Sequence, residues 1–374
     1  MEASADVEDG LPGRMLLAVM VLALVIPGYL IVGGATQLLN VSFGLWFTEL
    51  FVFLGISWVL IQMSRRNPVP YVRLRYPGLA PLGLGLGLGT VNYFGAVIPI
   101  QALAVQWSPQ FLKNLVPDVS QVFEQRSPLE LVLLLGAVSV AAPLCEELCF
   151  RGVIQQGFER LGAPSRGQRR RAIFWTAVLF SAFHLDPVGF WARLELGIVF
   201  GWLYAETGSL WTGVLAHAGN NLTATALYFL VQDSNADDAS TPPKQILLFA
   251  AFGAAALVGA AWLLRNFPVL KRTTLMDMGP RVREDRPVLY RLAAPWLAAG
   301  VLSLGMLFAV DSRGVRLNLS DALRHEPPTP KKETLQQKAA RTALEELRRQ
   351  ARSGRLPVEE YVKRRDAATG QPGR

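Results

Sequence analysis

Three short patterns in this chain place ionisable or amide side chains where apolar residues would be expected. They are Glu146-Glu147-x-x-x-Arg151, Phe180-x-x-x-His184 and His217-x-x-x-Asn221. Each lies on a stretch that otherwise reads as a buried helix, and an ionisable group in hydrocarbon is costly enough that it marks a functional site by default. The chain has only 3 histidines. Two of them fall in apolar segments, and His325 falls in a polar tail.

Spacing assigns roles. Residues four apart share a helix face, so Glu147 can pair with Arg151, while Glu146 is turned about 100° away and left free as a working base. His217 and Asn221 share a face in the same way and would present an imidazole and a carboxamide to one point. His184 precedes Asp186-Pro187, which ends its helix. With these groups a peptide bond can be hydrolysed in two ways. In one, Glu146, His184 and His217 hold Zn2+ with an open position for water. In the other no metal is needed: Glu146 is the general base, His184 positions the water, and His217 and Asn221 donate to the developing oxyanion. No HExxH pattern is present to decide for the metal.

The elements that must position these groups are membrane helices. The chain has 374 residues, 51% hydrophobic and 18% charged. Apolar runs recur at 15–35, 43–63, 79–105, 129–148, 172–185, 190–205, 209–231, 245–264 and 293–310. The expected fold is all-α, a polytopic integral membrane bundle of about eight to nine transmembrane helices with a short soluble helical C-terminal tail. Residues 1–14 form an acidic N-terminal segment, 15–310 the membrane domain with the motif core at about 130–231, 311–334 a linker rich in proline, and 335–374 the tail. The tail resembles the small helical-hairpin modules called SHOCT, with a Ser353-Gly354-Arg355 turn and Pro357 opening a second helix. Its partner is left open by the sequence.

The net charge of +8 comes from arginines gathered in short loops beside apolar segments, which is read as membrane topology and not as nucleic-acid binding. Arg65, Arg66, Arg73 and Arg75, then Arg160, Arg166, Arg169, Arg170 and Arg171, then Lys271, Arg272, Arg281, Arg283 and Arg286 mark three loops expected to face the cytoplasm. A multi-pass protein of the cell membrane is expected, with Glu146 at the end of the fourth segment and so near the cytoplasmic face. Gly83 to Gly89, in Gly-Leu alternation, is expected to allow a close neighbour. Cys145 and Cys149, four apart on one helix, are not placed to form a disulfide.

The order of the three motifs resembles that of the CPBP family of intramembrane peptidases, which includes type II CAAX prenyl endopeptidases and bacteriocin-processing or immunity proteins. The run Gly201-Trp-Leu-Tyr-Ala-Glu-Thr-Gly-Ser-Leu-Trp before His217 is similar to that family's lead-in to its third motif. The resemblance spans about 130–231. It implies cleavage of a membrane-anchored or prenylated-like peptide beside the bilayer. Glu146 and His184 would activate water, His217 and Asn221 would stabilise the oxyanion, and Glu147, Arg151 and Phe180 would support them. Two other readings use the same residues: a non-catalytic immunity or partner-binding protein of the family, and a proton-coupled transporter, although no inverted repeat accompanies the latter.

Overall fold

The computed structural model describes residues 13–116, 128–159, 165–232, 243–270, 288–322 and 335–369. These residues are mainly helical, joined by short turns, with no strand among them. Six helices are long and apolar enough to cross a membrane: α1 (Arg14–Leu39), α2 (Val41–Met63), α3 (Leu79–Trp107), α4 (Pro128–Glu159), α8 (Pro243–Asn266) and α9 (Leu289–Val310). Between them run α5 (Arg166–Ala182), α6 (Phe190–Thr207) and α7 (Leu210–Gln232). The protein is an all-α, multi-pass membrane bundle.

The expected count of eight to nine spanning helices also includes α5, α6 and α7, which are shorter or more polar than the other six. One face of each packs on neighbouring helices, so they can carry Arg193, Glu195, His217 and Asn221 inside the bundle, while Trp175, Trp191 and Leu222 are exposed on the other. Exposed apolar residues are most extensive on α1, α8 and α9, among them Leu16, Val19, Leu30, Leu248, Phe252, Trp262, Val301 and Met306. Apolar surface on that scale is stable in a bilayer and not in water.

The fourth segment also differs from its expected bounds. The apolar run stops near residue 148, whereas α4 continues to Glu159. Its last turns carry Arg151, Gln155, Gln156 and Glu159, all buried. Their polar atoms bond inside the protein: Gln155 donates to the Gly201 carbonyl at 3.2 Å and Gln156 to the Tyr71 carbonyl at 2.7 Å. Glu146 is therefore not at the end of its helix. It lies well inside it, about 20 Å before Glu159 at 1.5 Å per residue.

The backbone of α4 widens to π-helical turns at Ala137–Ala141 and Phe150–Gln155, so the glutamate pair rides on a short α-helical stretch, Ala142–Cys149, between two of them. α1, α2 and α3 each contain such a segment as well, at Gly28–Gly33, Thr48–Ile56 and Tyr93–Val97. π turns in helices often accompany functional sites because they re-aim the side chains that follow.

Two glycines of the Gly-Leu run set the position of α7. A Cβ on Gly85 would press on the Thr212 carbonyl, and one on Gly89 would collide with the Ala216 carbonyl; Gly83 and Gly87 face open space. The two that matter are four apart and share a face. Gly219 on α7 returns the contact against the Leu86 carbonyl.

One end of the bundle gathers the basic segments. The Arg73 guanidinium lies 3.9 Å from Glu159, its carbonyl accepts from the Leu210 backbone N–H at 3.0 Å, and the Arg75 carbonyl accepts from the Ser209 hydroxyl at 2.6 Å. Arg14 and Arg66 both stand over the Tyr71 ring. The starts of α1 and α7 and the ends of α2, α4 and α6 thus share that end. Lys271, Arg272, Arg281, Arg283, Arg286 and Arg160 lie outside the described residues, as do Asp233, Asp237, Asp238 and His325.

The opposite end carries the tail. The stretch read as linker starts with a helix, α10 (Ser312–Ala322), whose first turn is capped by Asp311 accepting from the Gly314 N–H at 3.1 Å. Asn318 on α10 donates to the Leu39 carbonyl at 2.7 Å. The hairpin α11 (Leu335–Arg352) and α12 (Val358–Thr369) then packs Ala351, Leu356 and Tyr361 around Leu317. Gly354 makes the turn with φ of 80°, a left-handed conformation that suits glycine. Arg352 reaches back to Glu130 at the start of α4 and to Asp311.

Candidate active site

Glu147 and Arg151 form the pair their spacing predicts, Oε1 to Nη1 at 2.7 Å with both side chains at 0% exposure. The same carboxylate oxygen meets His217 Nδ1 at 3.1 Å. One face of α4 is thereby tied to α7 through a single carboxylate. Arg151 also donates to the Gly197 carbonyl of α6 at 3.1 Å. The guanidinium lies over two rings, 4.6 Å from the centroid of Phe180 and 5.4 Å from that of Phe200. His217 stacks on Phe200 at 5.0 Å and meets Phe180 edge-on at 5.6 Å. Gly213, one turn before His217, leaves room for Glu147: a Cβ there would sit 3.2 Å from its Oε2.

Glu146 is held differently. No hydrogen bond to its carboxylate is present among the described residues, and its Oε2 is buried without a partner. The division between a structural carboxylate and a free one, read from the 100° turn between neighbours, is what the geometry shows.

The two histidines have their rings oriented by the nitrogen that does not face the site. His184 Nδ1 lies 3.0 Å from the Phe180 carbonyl, which only accepts, so Nδ1 carries the hydrogen and Nε2 presents a lone pair in the neutral ring. Leu185 follows with φ of 52°, and Asp186 closes the turn by accepting from the N–H groups of Val188 and Gly189 and from Arg193. His217 Nδ1 is likewise fixed by Glu147, leaving Nε2 as its available atom.

Asn221 donates to the Val138 carbonyl at 2.8 Å, in the π segment before the glutamate pair. Its Oδ1 accepts from the Asn220 side chain at 3.1 Å. The amide is therefore anchored to α4, with one N–H engaged and one remaining.

Among the described residues no three His, Cys, Asp or Glu side chains stand together as a metal-ligand set. Glu146, His184 and His217, the set a zinc ion would need, are not gathered as one. Cys145 and Cys149 are buried free thiols.

Residues 128–223 match the family model described as type II CAAX prenyl endopeptidase Rce1-like. The stretch is a CPBP-family domain. That match begins at the first residue of α4 and ends two residues past Asn221, so it contains all seven residues singled out by the motifs. Membership implies intramembrane protease activity at the level of the family and a bilayer setting with peptide substrates. Searches of curated proteins and of solved structures returned no match.

Around the CPBP motifs the structure adds residues that motif spacing does not flag. Phe200 and the Gly197 carbonyl complete the Arg151 environment. Phe53, Phe150 and Phe183 form an aromatic cluster with Tyr29, ring centroids 5.3–6.0 Å apart. Glu49 on α2 is buried at 4% exposure. A lone glutamate within an apolar run was the signal available for it in the sequence.

Proposed function

We propose that this chain is an intramembrane endopeptidase in which Glu146 activates water against a peptide bond of a membrane-anchored or prenylated-like substrate. The observation that carries the proposal is the contrast between the two adjacent glutamates: Glu147 is committed to Arg151 and His217, while Glu146 has no partner. A carboxylate kept free beside an oriented imidazole is what general-base catalysis needs.

In this mechanism Glu146 takes a proton from water as its oxygen attacks the carbonyl carbon, and His184 Nε2 helps to orient that water. Charge then develops on the carbonyl oxygen. The remaining Asn221 N–H donates to it, and His217 does so through an Nε2–H it carries from the start of the turnover, with its Nδ1–H held by Glu147 and no proton gained or lost at the ring. Glu146 returns its proton to the leaving nitrogen as the C–N bond breaks. Phe180 and Phe200 exclude water from Arg151 and Glu147, which strengthens the pair that sets the His217 ring.

Purified protein in lipid nanodiscs should cut at least one member of a panel of membrane-anchored and prenylated reporter peptides, read by product mass. Glu146→Gln should not, and a zinc chelator should leave the wild-type rate unchanged. If wild type and Glu146→Gln bound a peptide equally and neither cut it, the non-catalytic partner-binding reading would replace this one. Loss of cleavage with chelator, restored by added zinc, would overturn the metal-free scheme.

A further inference from the structure

Glu49 is a buried carboxylate that the CPBP motifs do not use. It sits in the π-helical part of α2, Thr48–Ile56, at 4% exposure, and its Oε2 has no hydrogen-bond partner among the described residues. Burying such an oxygen without a donor is costly. The stretch Thr48–Ile56 packs directly on the glutamate-bearing part of α4, Ala142–Cys149, and one turn beyond Glu49 the Phe53 ring lies 6.0 Å from Phe150. The other charged or titratable groups facing Glu146 are Glu147, Arg151, His217 and Arg193.

Two neighbouring helices thus bring two carboxylates together, and each keeps a buried oxygen, Oε2 of Glu49 and Oε2 of Glu146, with no donor. Glu147 also has an Oε2 without a donor, but its other oxygen is committed to Arg151 and His217. A single water has two O–H groups and can serve both free oxygens. We propose that Glu49 is a water-positioning residue: the attacking water donates one O–H to Glu146 and the other to Glu49. This rests on the peptidase reading and deepens it.

The step balances with no additional reactant. The water oxygen forms a bond to the carbonyl carbon, the O–H pointing at Glu146 breaks, and Glu146 takes that proton. The C–N bond then breaks and the same proton goes to the leaving nitrogen. Glu49 gains and loses no proton across the turnover; it holds the second O–H, so that the lone pair of the water oxygen is aimed at the carbonyl.

The test compares wild type, Glu146→Gln, Glu49→Gln and Glu49→Leu in nanodiscs on one reporter peptide, with kcat and KM measured separately. Glutamine has the shape of glutamate but one acceptor oxygen and no charge; leucine accepts nothing. The proposal expects a graded loss in kcat: about tenfold for Glu49→Gln and about 100-fold for Glu49→Leu, the size of effect that misplacing a reacting group by about 1 Å produces. KM should stay within about twofold throughout, since only the water is disturbed. Glu49→Gln with the wild-type kcat would overturn the proposal, and so would a loss confined to KM or to thermal stability. The glutamine variant is isosteric and decides the matter even if leucine prevents folding. Glu146→Gln separates the two layers of the argument. If it still cuts, the peptidase mechanism fails and this proposal with it; if it is inactive while Glu49→Gln matches wild type, only the role of Glu49 fails.

Discussion

Glu147 meets Arg151 and His217 through one carboxylate oxygen, in a site with no solvent contact. Removing one member of such a group leaves an uncompensated buried charge, which costs about 3 kcal/mol or more. Arg151→Met should therefore lower stability by about that amount in unfolding measurements, and Glu147→Gln by a similar amount. The double variant should be less destabilised than the sum of the two, because the second change removes a group already left unpaired. Additive losses would show that the two side chains do not depend on each other. Asn221→Ala belongs to the same scale. It removes the anchor to Val138 and the remaining donor together, so kcat should fall about 100-fold, in line with loss of an oxyanion donor. A loss seen only in KM would contradict that role. These residue-level relations were legible in advance where they depend on helical periodicity. The Glu147–Arg151 pair and the free Glu146 follow from spacing alone. The anchoring of Asn221 to Val138 and the place of Glu49 could not be read, because both depend on contacts between helices far apart in the chain.

At the scale of elements, the position of His217 is set by how closely α7 can approach α3. Gly89→Val would push against the Ala216 carbonyl and shift α7, so activity should be lost although residue 89 touches no motif residue. Gly87→Ala, which points into open space, should leave activity and thermal stability close to wild type. Equal effects of the two, measured by reporter cleavage and melting in nanodiscs, would show that the packing of α3 on α7 does not position the site. The sequence displayed this glycine run and the idea of close approach, but not which glycines of the run serve. It also ended the fourth helix too early. Arg151, Gln155, Gln156 and Glu159 interrupt the apolar pattern, and nothing in a local pattern tells a polar residue bonded inside a protein from one that leaves the membrane.

For the molecule as a whole, the Arg73, Arg75, Glu159 and Ser209 contacts bring the ends of α2, α4 and α6 to one end, and the Arg352–Glu130 and Asn318–Leu39 contacts bring the tail to the other. Single cysteines at Tyr76→Cys and Arg166→Cys should then be labelled from one face of the membrane, and Ser353→Cys from the opposite face. The buried native thiols give little background. Labelling of all three from one side would contradict the arrangement of the bundle. If the arginine-rich loops face the cytoplasm, as their charge leads one to expect, the tail faces away from it.

The account rests on Glu146 acting upon water, and one measurement bears on that directly: kcat and peptide affinity of Glu146→Gln, measured together in nanodiscs beside wild type. General-base catalysis predicts that kcat falls by about 100-fold to 10,000-fold while the peptide binds as tightly as before. A Glu146→Gln protein that turns over at the wild-type rate would contradict it.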